Sequence, residues 1–323
     1  KKEKVHAQQK LYPLNCFLCS NCGHLQNECI VSPEERYIEN DYSYTASNSK
    51  ISREHWMEFC DTVSNYIKLS NSDHVVEFGS NDGFLLKEFM KKGAIATGID
   101  PSPNMAELAA ENGVYTYLGF LGKESISAAI KISGKAKLIF GNNVFNHIHN
   151  PNEIIPIARD ALRDDGYFVF ESPYHKDIIE NFLFDTIYHE LISYFSARST
   201  DVLFRKNGLY ITNIEHNNYH GGSIRVYASK NESEYNKEIV DEYINKEHAS
   251  KLFSLDIYKN FMSKITKDKF EVLIQIYQLK KEGKRIAAIG AASKGNTLLN
   301  FYKLDSSVID FVTETSEFKI GKY

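Results

Sequence analysis

The sequence predicts an α/β protein built on a doubly wound sheet of parallel strands, and three observations predict it. From Asp73 to Pro173, apolar runs rich in β-branched residues alternate with stretches of helical period. Val75-Val76-Glu77-Phe78-Gly79-Ser80-Asn81-Asp82-Gly83 sets glycines at a strand-to-helix turn, and Gly98-Ile99-Asp100 ends the next strand on a carboxylate. A second strand–glycine–helix unit begins at Arg285.

Taken in order, residues 1–66 read as a cysteine-bearing module followed by a polar lid segment, Asp41 to Ser49, and a helix from about Ser52 to Leu69. Residues 67–230 form the cofactor domain. Its strands are VVEF, AIATGID, VYTYL, KLIFGNNVF and YFVFESP, and its helices begin near Phe84, Met105, Gly122 and Asn152. Residues 231–283 are charged and helical, a connector. Residues 284–323 open a Rossmann-like domain that reads as truncated, because one βαβ unit cannot cover both faces of a sheet; further C-terminal residues are expected.

The glycine turn carries the cofactor argument. Gly79 and Gly83 permit close backbone approach, Asn81 and Asp82 lie between them, and Glu77 at the strand end can accept from a ligand amine. Asp100, about 20 residues past the first glycine, is placed to accept two ribose hydroxyls. The G-x-x-x-G spacing lacks the dinucleotide G-x-G-x-x-G pattern, so S-adenosylmethionine is favoured over NAD. Asn143, after the strand ending at Phe140, falls at the same carboxyl edge.

Composition narrows the partners. A formal net charge of −4 gives no basic field for nucleic acid, and no apolar run is long enough for a membrane span. With 20 Tyr and 20 Phe against 7 Pro, aromatic-lined clefts are expected rather than disorder, which suits a small-molecule ligand in a cytoplasmic protein. Of the 5 cysteines, four lie between Cys16 and Cys29, and Cys19-x-x-Cys22-Gly23 forms a knuckle suited to structural zinc. Cys19 and Cys22 are the expected ligands; Cys16, His24 or a pair preceding Lys1 would supply the rest. Cys60 reads as core.

Three further clusters could carry chemistry. In FLFDTIYHELISYFS, Tyr188, His189 and Glu190 are the candidate acid/base groups, since an aromatic setting shifts proton affinities. His220-Gly221-Gly222-Ser223-Ile224-Arg225 joins a glycine turn to a strand, with Arg225 able to grip a phosphate or a hydroxyl pair. Gly290-Ala291-Ala292-Ser293-Lys294-Gly295-Asn296 places Lys294 and Asn296 at a helix N-terminus suited to phosphate.

These motifs, C-x-x-C-G-H-L-Q at Cys19, D-Y-S-Y at Asp41, EFGSNDG, NNVFNH, FDTIYHE, HGGSIR and GAASKGNTLLN, together resemble those of the sugar C-methyltransferases acting on nucleotide-linked 4-keto-6-deoxysugars. The resemblance runs the length of the chain. It implies a zinc module, a central class I methyltransferase domain binding S-adenosylmethionine, and a C-terminal Rossmann-like domain that helps hold a dTDP- or GDP-sugar, in a monomer or homodimer. It implies that Gly79, Asn81, Asp100 and Asn143 meet the cofactor and that Tyr44, Tyr188, Glu190, His220 and Arg225 face the sugar.

One departure stands out. The family usually reads Y-x-E-H, its His serving as base, where this chain has Tyr188-His189-Glu190-Leu191. Glu190 is the expected base, because helical spacing would turn His189 about 100° away from Glu190. O- or N-methylation, nucleotide-sugar binding without transfer, and an NAD-dependent oxidoreductase are the competing readings.

Overall fold

The computed structural model describes residues 10–29, 31–38, 42–316 and 319–321; Asp41 of the D-Y-S-Y segment lies outside them. A seven-stranded sheet forms the centre. Its strands are β3 (His74–Phe78), β4 (Ile95–Asp100), β5 (Thr116–Leu118), β6 (Ala136–Asn142), β7 (Leu162–Pro173), β9 (Tyr210–Asn217) and β10 (Ser223–Ser229), in the order β5-β4-β3-β6-β7-β10-β9. The first five run parallel, but β10 is antiparallel to both β7 and β9, so the expected all-parallel sheet is a mixed one. The Asn218–Gly222 turn is too short for a crossover, and so its two strands must fold back as a hairpin.

Strand alternation splits the core. Val75, Leu138 and Phe140 face one layer, packing on Phe59, Val63 and Leu86, while Val76, Ile139 and Phe168 face the other, around Phe145, Phe170 and Phe204. The first layer is covered by α2 (Lys50–Tyr66) and α3 (Phe84–Lys91). Helix α2 starts earlier than the sequence suggests because Ser49, not Ser52, caps it: the Ser49 hydroxyl accepts from the Ser52 amide at 3.0 Å. Cys60 is buried within this layer.

The cysteine-bearing segment docks onto the main body. β1 (Cys16–Leu18) and β2 (Leu25–Asn27) form a hairpin that extends through β2 to β8 (Ser193–Tyr194). Gly23 takes φ +73°, and a side chain there would stand 2.4 Å from the Phe253 ring. The Asn27 side-chain amide donates to the carbonyls of Tyr188 (3.1 Å) and Leu191 (2.6 Å), pinning the Tyr188–Leu191 loop to the hairpin. A third apolar cluster, including Leu25, Ile178, Leu191 and Tyr194, fills the joint and reaches helix α10 (Leu255–Lys281). The connector is helical as expected, with α9 (Lys237–Ala249) ahead of α10. Beyond it, β11 (Ala287–Ile289), α11 (Ser293–Tyr302) and β12 (Phe311–Thr313) make the single parallel unit. No helix among the described residues is long and apolar enough to cross a membrane.

His175 reports on the interior. Tyr258 gives its hydroxyl proton to the Leu252 carbonyl (2.8 Å), so the His175 Nε2–H donates to the Tyr258 oxygen (2.8 Å) and Nδ1 is left bare. Burial, with His24 adding to it, lowers its pKa to about 3. The unfolded chain takes up this proton near pH 6.5 and the folded chain does not, so the contribution is complete above about pH 6.5 and falls by about 1.4 kcal/mol per pH unit toward pH 3. In urea unfolding, the stability advantage of wild type over His175→Gln should therefore shrink between pH 7 and pH 4.5. A pH-independent difference would show that this imidazole titrates in the fold.

Candidate active site

At the carboxyl edge of the sheet, where the order of strand addition reverses between the parallel neighbours β3 and β6, lies a cavity of about 740 Å³. The loop after β3 forms one wall. Gly79 takes φ +65° with Val144 packed on its Cα, where any Cβ would fall 2.4 Å from Val144 Cγ2, and the Gly79 amide donates to Ile99 O (2.7 Å). Asn81 follows at φ +51°, held by its amide donating to Asp100 Oδ2 (2.9 Å); Asp100 Oδ1 accepts from the Ser102 amide (2.8 Å). Burial raises the Asp100 pKa against these two amides. Glu77 is raised well above the carboxylate range by burial first and then by Asp82 and Asp100, and its Oε2 has no hydrogen-bond partner among the described residues.

Glu77, Gly79, Asn81, Asp100 and Asn143 line the cavity; Asp82 and Gly83 do not. Gly83, expected at the cofactor, instead begins α3 at φ +73°, packed on Val114 and Ala109. Asp82 turns away to accept from the Ser47 amide and hydroxyl and from the Phe84 amide.

The opposite wall is aromatic. Tyr37, Tyr42, Tyr44 and Tyr188 line it with His147, Glu190, Leu191 and His220. The Tyr37 hydroxyl and His147 Nδ1 share a 2.6 Å hydrogen bond, and Arg36 donates to the Tyr37 hydroxyl (3.4 Å) and the Glu190 carbonyl (3.0 Å). Burial, then Arg36, lowers the His147 pKa to about 3, which keeps the ring neutral. Burial raises the phenols of Tyr42 and Tyr188, with the Glu190 carboxylate next in effect, so both remain proton donors. Glu190 Oε1 accepts from the Ser293 hydroxyl at 2.8 Å. His220, at φ +54°, is lowered to about 4 by burial and by Lys294. Lys294 lines the mouth, donating to Thr186 (3.2 Å).

Five other expected site residues lie elsewhere. His189 is not on a helix; it points outward to the carbonyls of Tyr12 and Pro13 (3.2 Å each) and does not line the cavity. Arg225 is buried behind the wall, where its guanidinium meets Glu171 (2.9 Å), Glu58 (3.0 Å) and Glu215 (3.3 Å), because its place on β10 faces the α2 layer. Asn296 sits one turn into α11 and pairs with Asn300 (3.1 Å). Cys19 and Cys22 converge, and amides of Cys22 and Asn21 lower the Cys19 pKa, but Cys16 bonds Asn27 and His24 bonds Ser193. Among the described residues no group of three or more metal-ligating side chains forms, so two thiols stand where tetrahedral zinc needs four ligands. Sequence reasoning assigned no site role to Arg36, Tyr37, His147 or Ser293, although His147 and Ser293 stand in the quoted motifs NNVFNH and GAASKGNTLLN.

Known proteins bear on this site. A methyltransferase-domain family model matches residues 52–214, and one for the C-methyltransferase C-terminal domain matches residues 218–323. The C-methyltransferase NovU of Streptomyces niveus is 31% identical over 316 residues, covering 97% of this chain and 74% of that protein. This chain belongs to the C-methyltransferase family. An uncharacterized methyltransferase of Schizosaccharomyces pombe is 28% identical over 144 residues, 43% of this chain and 52% of that one. Among solved structures, magnesium protoporphyrin IX methyltransferase of Synechocystis PCC 6803 is 13% identical with a TM-score of 0.44, over 57% of this chain and 89% of that one.

The methyltransferase has the class I fold and depends on S-adenosylmethionine, and its residues fit that cofactor. Besides Glu77 Oε2, the buried polar atoms Ser80 Oγ, Asn142 Nδ2 and Asn143 Oδ1 lack partners among the described residues, and all three residues line the same cavity. Each Asp100 oxygen accepts from one backbone amide, which leaves acceptor capacity that suits ribose hydroxyls.

Two measurements check these placements. Asp100→Ala should weaken S-adenosylhomocysteine binding by at least about tenfold in calorimetry without unfolding the protein; unchanged affinity would misplace the ribose site. Arg225→Ala leaves the buried Glu171 carboxylate with His55 and Asn217 but without its guanidinium, and should cost about 3–5 kcal/mol in urea unfolding. Native stability with a raised acceptor KM would instead return Arg225 to the substrate.

Proposed function

We propose that this methyltransferase acts on a nucleotide-linked 4-keto-6-deoxysugar and methylates the carbon beside the ketone, C3. The observation that carries the proposal is the convergence of one carboxylate, Glu190, with neutral Tyr42, Tyr188 and the Tyr37–His147 pair in the cavity that the cofactor loop walls. A carbon acid needs that set: one base, and proton donors for the oxygen on which charge develops.

A ketone at C4 acidifies C3–H. Glu190, its carboxylate oriented by Ser293 and its backbone by Arg36, takes that proton. The bonding pair moves into the C3–C4 bond as the carbonyl becomes an enolate oxygen, which the phenols of Tyr42 and Tyr188 stabilise. S-adenosylmethionine, when bound, supplies an electrophilic methyl group. Leu191 faces the apolar cluster beneath and takes no part in proton transfer, so the role of the family's histidine passes to its neighbour. Lys294 and the N-terminus of α11 at the mouth suit a diphosphate, and Tyr44 and His220 suit the sugar between. Structural zinc would require ligands beyond Cys19 and Cys22.

With dTDP- or GDP-4-keto-6-deoxyhexose in deuterium oxide, wild type should add one methylene by mass and lose the C3 hydrogen. Glu190→Gln should slow both transfer and solvent exchange by about 10²–10⁴-fold. Methyl transfer with C3–H retained would point to an oxygen or nitrogen acceptor. Sugar binding without turnover would make the protein a binder.

A further inference from the structure

The side-chain hydrogen bonds of Asn81, which borders the cavity, and of Asp82, which does not, converge on one short stretch of chain. Asn81 Oδ1 accepts from the Ala46 amide (2.8 Å) and the Asp82 amide (2.9 Å), which uses both lone pairs, and Asn81 Nδ2 donates to the Tyr44 carbonyl (3.0 Å). Asp82, 3% exposed, takes the Ser47 amide (3.2 Å) and the Ser47 hydroxyl on Oδ2. Two more bonds complete the hold: Asn104 Nδ2 to the Tyr42 carbonyl (2.8 Å) and Arg53 to the Ser47 carbonyl (2.7 Å). Between these fixed points stand Tyr42 and Tyr44, whose side chains line the cavity.

We infer that Asn81 and Asp82 are positioning residues that clasp the Tyr42–Ser47 segment and so shape the acceptor site from the cofactor loop. The inference rests on the reading above that the tyrosine wall meets the acceptor. Asp100 gives the clasp its link to the cofactor: the carboxylate placed for the ribose holds the Asn81 amide, and the same residue's side chain holds the segment. A ligand that steadies Asp100 therefore steadies Tyr42 and Tyr44 as well. Acceptor affinity rises once the cofactor half is filled, and by linkage cofactor affinity rises with acceptor bound.

The test uses the full chain with a dTDP- or GDP-4-keto-6-deoxyhexose, with S-adenosylmethionine for turnover and S-adenosylhomocysteine for binding and deuterium uptake. Asp82→Ala and Ser47→Ala should each speed amide deuterium uptake in residues 42–47 and raise the acceptor KM about tenfold, while the Kd of S-adenosylhomocysteine alone stays within about twofold. The double variant should be no worse than Asp82→Ala, and Ser47→Thr, which keeps the hydroxyl, should restore wild-type behaviour. Ser47→Ala leaves the loop and the start of α3 intact, so it decides the matter even if Asp82→Ala unfolds. Unchanged uptake in 42–47, or cofactor affinity falling in parallel with acceptor affinity, overturns the clasp. Absence of turnover in wild type with both sugars would count against the proposed substrate, while uptake and S-adenosylhomocysteine binding still test the clasp.

Discussion

Three buried carboxyl groups, Glu77, Asp82 and Asp100, crowd one turn at the end of β3; Asp82 and Asp100 both raise the pKa of Glu77, and Asp82 raises that of Asp100. Like charges out of water repel strongly, so such a turn is stable only if each is given its own answer. Asp100 is answered by two backbone amides, and that fixes Asn81 in the left-handed region. Asp82 is answered by the Tyr42–Ser47 segment and the first amide of α3. Glu77 keeps an oxygen without a protein partner and so suits a cationic or hydroxyl-bearing ligand. The cavity's cofactor wall, its tyrosine wall and the entry into α3 all follow from how this one turn disposes of charge.

Much of the fold was legible because its signals are local. β-Branched runs, glycines at strand ends and helical periods lie within a few residues of one another, and β3, β4, β6 and α3 follow them closely. What failed depended on distant partners. The role of Arg225 was set by Glu171 on β7 and Glu58 on α2; the direction of β10 is a local matter instead, fixed by its short turn from β9, a strand not among those read from the sequence. An arginine beside a glycine turn looks the same on paper whether it greets a phosphate or closes a buried ion network.

The candidate site divides along the same line. Glu77, Gly79 and Asp100 belong to a contiguous motif and line the cavity. The acid/base wall is assembled from Arg36, Tyr37, His147 and Glu190, drawn from separate parts of the chain, and no periodicity joins them. Helical spacing does not relate His189 to Glu190, because the segment is a turn pinned by Asn27, which sends His189 outward.

The hydroxyl of Ser293 on Glu190 joins the first turn of α11 to the loop that carries the reactive carboxylate. The segment suited to the distal, nucleotide end of a substrate thereby also orients the group suited to the chemistry. On the function proposed above, recognition of a part of the substrate that never reacts is mechanically wired to reactivity, and a fragment lacking that part meets a less well-aimed carboxylate. For protein engineering, the C-terminal segment is then no interchangeable handle: exchanging it between relatives would retune the catalyst along with its choice of ligand.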